Sequence, residues 1–404
     1  MLNQDHLGYK MTLDRSLALS QRSAVINWGL LPSVFRDVTP GHMTANNQDA
    51  IYQVDRAIGQ IRRGGRVCFE TKKGQLFLFC AAEFLGRDSE DFDEQSSFFA
   101  LPENRYLFLK QGQRDFTQSF DKALCLSSFP DVQLTAEHLT RDLASSIGED
   151  FPAQALQPEL LPILRLLKWA YALPVALIKP IAGDQSNTML VPRISSDLLE
   201  SYLTSLPPSI KLVSSAKLPI AATENAEILA YGSRSSAQEH FVLRIGSNSG
   251  QKKSSPLVRM HSECFTGDLL ASLRCDCGSQ LHSAIDLCVE AGFGLILYLH
   301  QEGRGIGLAN KVRAYALQDQ GLDTVQANAV LGFHPDERDF AVARAILDSL
   351  GISKLKLISN NPYKKESLEK EGFQVEDLVP LKIAATSHSK AYLETKVEKM
   401  GHKL

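Results

Sequence analysis

The sequence predicts an α/β protein with mixed α+β sheets arranged as two domains, and three observations carry that expectation. Its 404 residues exceed what one ordinary hydrophobic core organises, at roughly 100–200 residues per domain. From about residue 293, apolar runs alternate with amphipathic stretches: FGLILYLH, LANKVRAYALQDQG, RDFAVARAILDSLG, KLKLISN and KKESLEKEGF. Strands alternating with helices produce that pattern. Around residues 195–215 the composition turns rich in serine and contains Pro207-Pro208, which marks a boundary near Leu206.

The elements follow in order. Residues 1–45 lack periodicity and are expected to form an extension, with a first domain over residues 46–205 and a second over 206–404. AIYQVDRAIGQIRRG suits an amphipathic helix with Ile51, Val54, Ile58 and Ile61 on one face and Gly64-Gly65 as its stop. RVCFETKKGQLFLFCAAEF reads as a hairpin turning at Lys72-Lys73-Gly74. The acidic GRDSEDFDEQSS that follows is expected to be a solvated loop. Beyond residue 206 strand-rich sequence runs to about Val258, interrupted by the polar SNSGQKKSSP.

Composition excludes several classes. Apolar residues at 44% and charged residues at 22% rule out a wholly disordered or collagen-like chain. Forty-three basic and 46 acidic side chains give a formal charge of −3, which argues against a dedicated nucleic-acid binder while allowing a local anion pocket. The most apolar stretch, LLPILRLLKWAYALPVALIKP, is broken by Arg165, Lys168, Pro174 and Lys179, whereas a spanning helix needs ~20 apolar residues. Seven cysteines make a disulfide framework a poor fit. With no basic-then-apolar leader pattern at the start, the expectation is a cytoplasmic protein with reduced thiols and no membrane partner.

Chemistry concentrates in the second half. Cys264, Cys275 and Cys277 fall within HSECFTGDLLASLRCDCGSQ. Three soft thiolates with one open position suit catalytic zinc, and three buried free cysteines are the equal alternative. A fourth ligand is missing nearby: His261 and His282 are candidates, but either would close the site. Three thiolates and a dication sum to −1, so positive help is expected, with Arg259 and Arg274 in the same segment. HQEGRGIGL follows an apolar run and precedes a helix, an arrangement that presents backbone N–H groups to phosphate. It is neither a dinucleotide fingerprint, because Leu308 stands where a third glycine belongs, nor a GxxxxGK[ST] loop. Leu308, Val312, Tyr315 and Asp319 share one helical stripe, so Tyr315 is a core tyrosine or a proton donor aimed into a cleft. Asp336 reads as the N-cap of the next helix, with Arg338 as a surface charge. Lys364 and Lys365 open a further helix, where the dipole disfavours cations and an anion would explain them.

Taken together, VRMHSECFTGD, LRCDCGSQL, QEGRGIGLANKVRAYALQ, ANAVLGF, DERDF and SNNPYKK, in that order from SSAKLP to the terminus, resemble GTP cyclohydrolase II. The resemblance implies that family's fold for the C-terminal domain and hydrolysis of GTP to 2,5-diamino-6-(5-phosphoribosylamino)pyrimidin-4-one, formate and diphosphate, the first step of riboflavin biosynthesis. It implies one zinc per subunit on Cys264, Cys275 and Cys277, magnesium with the triphosphate, and a homodimer. By position, Arg259, Met260, His261, Ser262, Glu263, Gln280, Glu302, Gly303, Arg304, Thr324, Ser359 and Lys364 match GTP contacts. Ser359 replaces the family's usual threonine and keeps its hydroxyl. Asp336 matches the proton acceptor, Arg338 the proposed nucleophile, and Tyr315 a tyrosine required for the full reaction.

The first half, in VDRAIGQIRRGGRVCFETKKGQLFLFCAAEF, resembles the start of 3,4-dihydroxy-2-butanone 4-phosphate synthase. The acidic metal-binding run of that family is replaced here by ETKKGQL, which predicts a degenerate domain without synthase activity. Two other functions share the C-terminal motifs: a zinc-stabilised GTP-binding regulator without turnover, and an enzyme that opens the ring but retains formate.

Overall fold

The computed structural model describes residues 45–85, 90–112, 122–144, 147, 151–182, 191–205, 210–233, 236–247, 255–338, 340–370 and 372–381. The expected N-terminal extension up to Thr44, the boundary at Leu206 and the end of the motif series at KVEKMGH lie outside those residues. So do parts of the acidic stretch after Leu85 and of the polar loop after Ser247.

The N-terminal half runs α1 (Ala45–Arg62), β1 (Val67–Glu70), β2 (Leu76–Ala81), β3 (Phe98–Pro102), α2 (Glu103–Gln111), β4 (Ala123–Leu126), α3 (Val132–Thr140), β5 (Gln154–Ala155), α4 (Leu161–Trp169), β6 (Ala176–Ile181), β7 (Arg193–Ser195) and α5 (Ser196–Ser205). The apolar stripe of α1 is buried as its spacing requires, at Ile51, Val54, Ile58 and Ile61. β1 and β2 form the expected antiparallel hairpin, Val67 facing Phe79 and Glu70 facing Leu76. Seven strands make one sheet in the order β5-β4-β3-β6-β2-β1-β7.

The C-terminal half contributes β8 (Ile210–Lys217), β9 (Ala226–Ser233), β10 (Ser236–Gly246), β11 (Leu257–Ser262), α6 (Cys277–Glu290), β12 (Phe293–Leu299), a single turn α7 (Glu302–Gly305), α8 (Leu308–Asp319), α9 (Thr324–Val330), α10 (Ala341–Ser349), β13 (Lys354–Ile358), α11 (Pro362–Lys370) and β14 (Gln374–Val379). Its sheet has the order β14-β13-β11-β12-β10-β9-β8. β11 runs parallel to both β12 and β13, so three neighbouring strands end on the same edge. β10 and β9 return antiparallel. One face packs Leu229, Val258 and Leu297 against Ala343, Ile346, Leu347 and Leu368 of α10 and α11. The other packs Ile296 and Ile358 against Ala284 and Cys288 of α6.

α8 and α9 pack elsewhere. Ile306, Leu317, Leu322, Val330, Leu331 and Phe333 share a core with Leu78, Phe99, Leu101 and Leu177 of the first sheet and Phe108 of α2. Each such side chain, fully buried, contributes about 1.5–3 kcal/mol, so the two sheets are joined by an apolar core, and the described residues belong to one compact unit. The stripe of Leu308 and Val312 is the exposed side of α8, at 40% and 53%. Ala314 and Leu317 face the core instead. Among the described residues, no helix is long and apolar enough to cross a membrane.

Candidate active site

β11, β12 and β13 deliver their carboxyl ends to one place, the position at which open parallel sheets bind ligands. β11 leads through Ser262 and Glu263 into Cys264, β12 leads into Glu302, and β13 leads into Ser359. A cavity of about 600 Å³ opens there. All the residues matched to the family's site line it except Asp336, which holds the lining Arg338, and neither His282 nor Lys365 lines it. Arg259, Met260, His261, Ser262, Glu263, Gln280, Gly303, Arg304, Thr324, Tyr315 and Lys364 are thus brought together from positions more than a hundred residues apart. The sequence had not singled out Asn328, Asn360 and Asn361, which also line it.

The three sulfurs meet. Ligand atoms of Cys264, Cys275 and Cys277 all lie within 4.8 Å of one another, the only such group among the described residues, and Cys264 Sγ is 3.7 Å from Cys275 Sγ. A π-helical turn at Phe265–Leu269 curls under them, and Gly267 makes the approach possible. A Cβ there would sit 2.8 Å from Cys275 Sγ and 3.0 Å from Cys264 Sγ. Cys277 opens α6, whose N-terminus favours negative charge. Hydrogen bonds from the Cys275 and Cys277 thiols, joined by the Lys311 ammonium, hold the Cys264 thiol far below its ordinary range, while its neighbours push Cys277 well above. Three thiols within reach of one another cannot all ionise without a cation, so this donor set fits zinc.

Neither histidine joins the trio. His261 Nε2 is 3.0 Å from Asp268 Oδ2, and Asp268 also accepts from the Cys264 N–H at 3.0 Å and the Tyr298 hydroxyl at 3.0 Å. The trio therefore keeps one side open.

The compensating charge is only partly the expected one: Arg259 is attracted by Cys277, while a lysine contacts Cys264. Arg259 donates to the Ile358 carbonyl and to Gln280 Oε1, with burial lowering its pKa to about 10. Arg274 pairs with Asp319 at 2.5 Å and lies over the Tyr315 ring. The cation on the sulfurs is Lys311, whose Nζ lies 3.0 Å from Cys264 Sγ and 2.8 Å from Glu302 Oε1. Burial opposes its charge, but those two partners win and push its pKa up. Glu302 Oε2 meanwhile accepts from the Phe265 N–H at 2.6 Å. A lysine on a helix next to Leu308 and Val312 reads as a surface charge, so only the fold reveals it.

Asp336 is not a helix cap. α10 starts at Ala341 with Phe340 as its N-cap, and Asp336 clamps Arg338 instead. Arg338 Nε donates to Asp336 Oδ1 at 2.7 Å, Nη2 donates to Oδ2, and Nη1 reaches Ser262 Oγ at 3.4 Å. Burial acts to raise the Asp336 carboxyl, yet the Arg338 hydrogen bonds and charge hold it below its ordinary range. Tyr315 Oη is 3.2 Å from Thr266 Oγ1, and burial raises its pKa, so it stays protonated. Lys364 is buried and donates to the Met260 carbonyl at 3.1 Å, whereas Lys365 pairs with Glu369 on the surface. Arg259 Nε and His261 Nδ1 are buried with no hydrogen-bond partner among the described residues, a cost of about 1–3 kcal/mol each that a ligand in the cavity would relieve.

The model of one family, GTP cyclohydrolase II, matches residues 211–380. A protein of Azospirillum brasilense called GTP cyclohydrolase-2 is 34% identical over 374 residues, 88% of this chain and 95% of that protein. The chain belongs to the GTP cyclohydrolase II family. It is therefore a hydrolase of that kind, and the match to the Azospirillum relative is too long to be confined to the C-terminal sheet. GTP cyclohydrolase-2 of Histophilus somni (strain 2336) is 47% identical over 195 residues, 48% of this chain and 88% of its own length. Riboflavin biosynthesis protein RibBA of Bacillus subtilis is 53% identical over 148 residues, 37% of each chain.

Proposed function

We propose that this chain hydrolyses GTP to 2,5-diamino-6-(5-phosphoribosylamino)pyrimidin-4-one, formate and diphosphate, as the first step of riboflavin biosynthesis. One observation carries the reading: the cysteine trio opens into the same cavity as Arg259, Arg274, Arg304, Lys311, Arg338 and Lys364. That density of cations suits a triphosphate, whose charge magnesium would share.

Cys264, Cys275 and Cys277 would hold one zinc, which supplies an acidified water for hydrolysis at the purine. The other roles belong to this chain's own side chains. Asp336 fixes the Arg338 guanidinium in one plane through two parallel hydrogen bonds, leaving Nη1 toward Ser262. The paired Asp336 carboxylate, held below its ordinary range, orients that guanidinium, which favours Arg338 as the group that stabilises charge when diphosphate leaves. Tyr315, protonated and beside the trio, is suited to donate a proton as the imidazole ring opens. Met260, His261, Ser262, Glu263, Gln280, Glu302, Gly303, Thr324 and Ser359 complete the proposed nucleotide contacts.

Exposed Leu269, Leu270, Leu273, Leu308 and Val312 on the C-terminal half support a homodimer, since exposed apolar side chains mark partner surfaces. For residues 46–205 we propose a structural role without synthase activity. Glu70 pairs with Arg193, Lys72 with Glu200 and Lys73 with Glu159, so the charged side chains of ETKKGQL are engaged in local ion pairs. A soluble cytoplasmic setting fits the reduced thiols.

The test is to incubate zinc-replete protein with GTP and magnesium and quantify formate, diphosphate and the product spectrum. Formate with diphosphate supports the proposal. Diphosphate with a formylated pyrimidine, or neither product, refutes it.

A further inference from the structure

Glu337 stands between Asp336 and Arg338, and its side chain reaches toward the other half of the molecule. Its Oε1 accepts from the Lys168 ammonium at 2.8 Å and from the His334 N–H at 2.8 Å. Its own N–H donates to the Arg304 carbonyl at 3.0 Å. Lys168 belongs to the last turn of α4 and its Nζ also lies 5.4 Å from the centroid of the Phe333 ring. Both side chains of the pair are largely shielded, at 17% and 22% exposure.

The turn after α4 meets the other side of the same apparatus. Tyr171, in the left-handed region at φ 58, offers its carbonyl to Asn310 Nδ2 at 2.9 Å. Its ring lies so close to Gly307 that a Cβ there would be 2.9 Å from Tyr171 Cγ. The N-terminal half therefore grips both segments that carry cavity residues: the glycine turn with Gly303 and Arg304, and the loop with Asp336 and Arg338. That loop has neither helix nor strand to hold it from His334 to Arg338. Without Lys168 the Glu337 carboxylate keeps one N–H donor among the described residues, that of His334, in a largely shielded place, and turning it toward water would carry Asp336 and Arg338 with it.

We propose that Lys168 is a positioning residue for GTP hydrolysis, acting through Glu337 to set the Asp336–Arg338 loop against Ser262 and the cysteine trio. The inference rests on the reading of Asp336 and Arg338 as part of the catalytic site. It gives the N-terminal half a direct part in the reaction without chemistry of its own.

The test uses full-length protein carrying Lys168→Met, Lys168→Arg, Glu337→Gln or Lys168→Met with Glu337→Gln. It reads kcat and KM for GTP by formate release, zinc content, and the unfolding midpoint. Displacing a catalytic group by about 1 Å is worth up to about a hundredfold. Lys168→Met should lower kcat at least about tenfold with KM within about twofold and zinc content unchanged. Lys168→Arg should recover to within about threefold, because it can still donate to Glu337. Glu337→Gln, whose amide oxygen still accepts from Lys168 without the charge, should lower kcat in the same direction by a smaller factor, and the double variant should be no worse than Lys168→Met, as for partners in one interaction. A kcat at the wild-type level in either single variant, or losses that multiply in the double, overturns the proposal even if the midpoint falls. Should Lys168→Met not fold, Glu337→Gln and Lys168→Arg decide. Arg338→Lys is run alongside: full turnover there sinks the reading of the catalytic site itself, whereas loss there with an unaffected Lys168→Met sinks only the role of Lys168.

Discussion

Replacing Lys311 with methionine tests the electrostatics of the cysteine centre. Its ammonium touches Cys264 Sγ at 3.0 Å and Glu302 Oε1 at 2.8 Å, and Glu302 is only 6% exposed, so water screens little of the interaction. Methionine keeps most of the volume and removes the charge. Removing one partner of a buried ion pair costs about 3–5 kcal/mol, because the survivor is left uncompensated. That corresponds to roughly two to four powers of ten in the folding equilibrium. For zinc, loss of a group that contacts a ligand atom weakens affinity about 10–100-fold. Urea unfolding of metal-free protein reads the first quantity, and competition with a chromophoric chelator reads the second. Adding Glu302→Gln to Lys311→Met removes the orphaned carboxylate and should recover at least about half of the lost stability, a coupling that a double-mutant cycle isolates. A Lys311→Met protein that unfolds at the wild-type urea concentration and holds zinc as tightly would refute the assignment of Lys311 as the compensating cation.

Three further outcomes follow from the geometry. Arg338→Lys cannot reproduce the bidentate clamp on Asp336, and losing one aimed donor costs about 10²–10³-fold, so formate release should fall by that factor while the fold, read by circular dichroism, is unchanged. Gly305→Ala should destabilise by about 2–5 kcal/mol in urea, combining about 1–2 kcal/mol for a left-handed residue with about 1–3 kcal/mol for crowding. Gly305 has φ +91, and a Cβ would lie 2.8 Å from the Glu337 carbonyl oxygen. His240 is 5% exposed and accepts from the His300 N–H at 3.1 Å, and burial lowers its pKa to about 4. A depressed histidine stabilises fully above the unfolded pKa near ~6.5 and progressively less as pH falls toward the folded value. Thermal or urea unfolding should lose about 3 kcal/mol more between pH 6.5 and 4 in wild type than in His240→Asn.

Much of the architecture was legible in the residues because local patterns recorded it. The alternation of apolar runs and amphipathic stretches located β12, α8, α10, β13 and α11, and the spacing of Ile51, Val54, Ile58 and Ile61 located α1. The motif series identified the family, which the relatives bear out. Local rules misled where two readings of a residue were equally good. Asp336 fits the start of a helix as well as any aspartate, but the chain first makes a loop, and the nearest strong donor is Arg338 two residues on. Of the two arginines nearest the cysteines in sequence, Arg259 interacts with Cys277 but Arg274 turns to Asp319, because nearness along a chain says little about which side chain faces a sulfur.

By itself the sequence determined the near-neutral globular composition, the first helix and hairpin, the alternating elements from β12 onward, and the cysteines, arginines and glycines from which the site is made. Their periodicity and type are properties of short stretches, which hydrophobic burial and backbone sterics act on directly. Only the tertiary structure decided that three parallel strands end together, that Lys311 meets the Cys264 sulfur, and that α8 and α9 pack on the first sheet. It alone brought Lys168 to Glu337 across 169 residues of chain. Such contacts depend on how two cores close on one another, and the free energy that fixes them is spread over many side chains, so no single segment carries their signature.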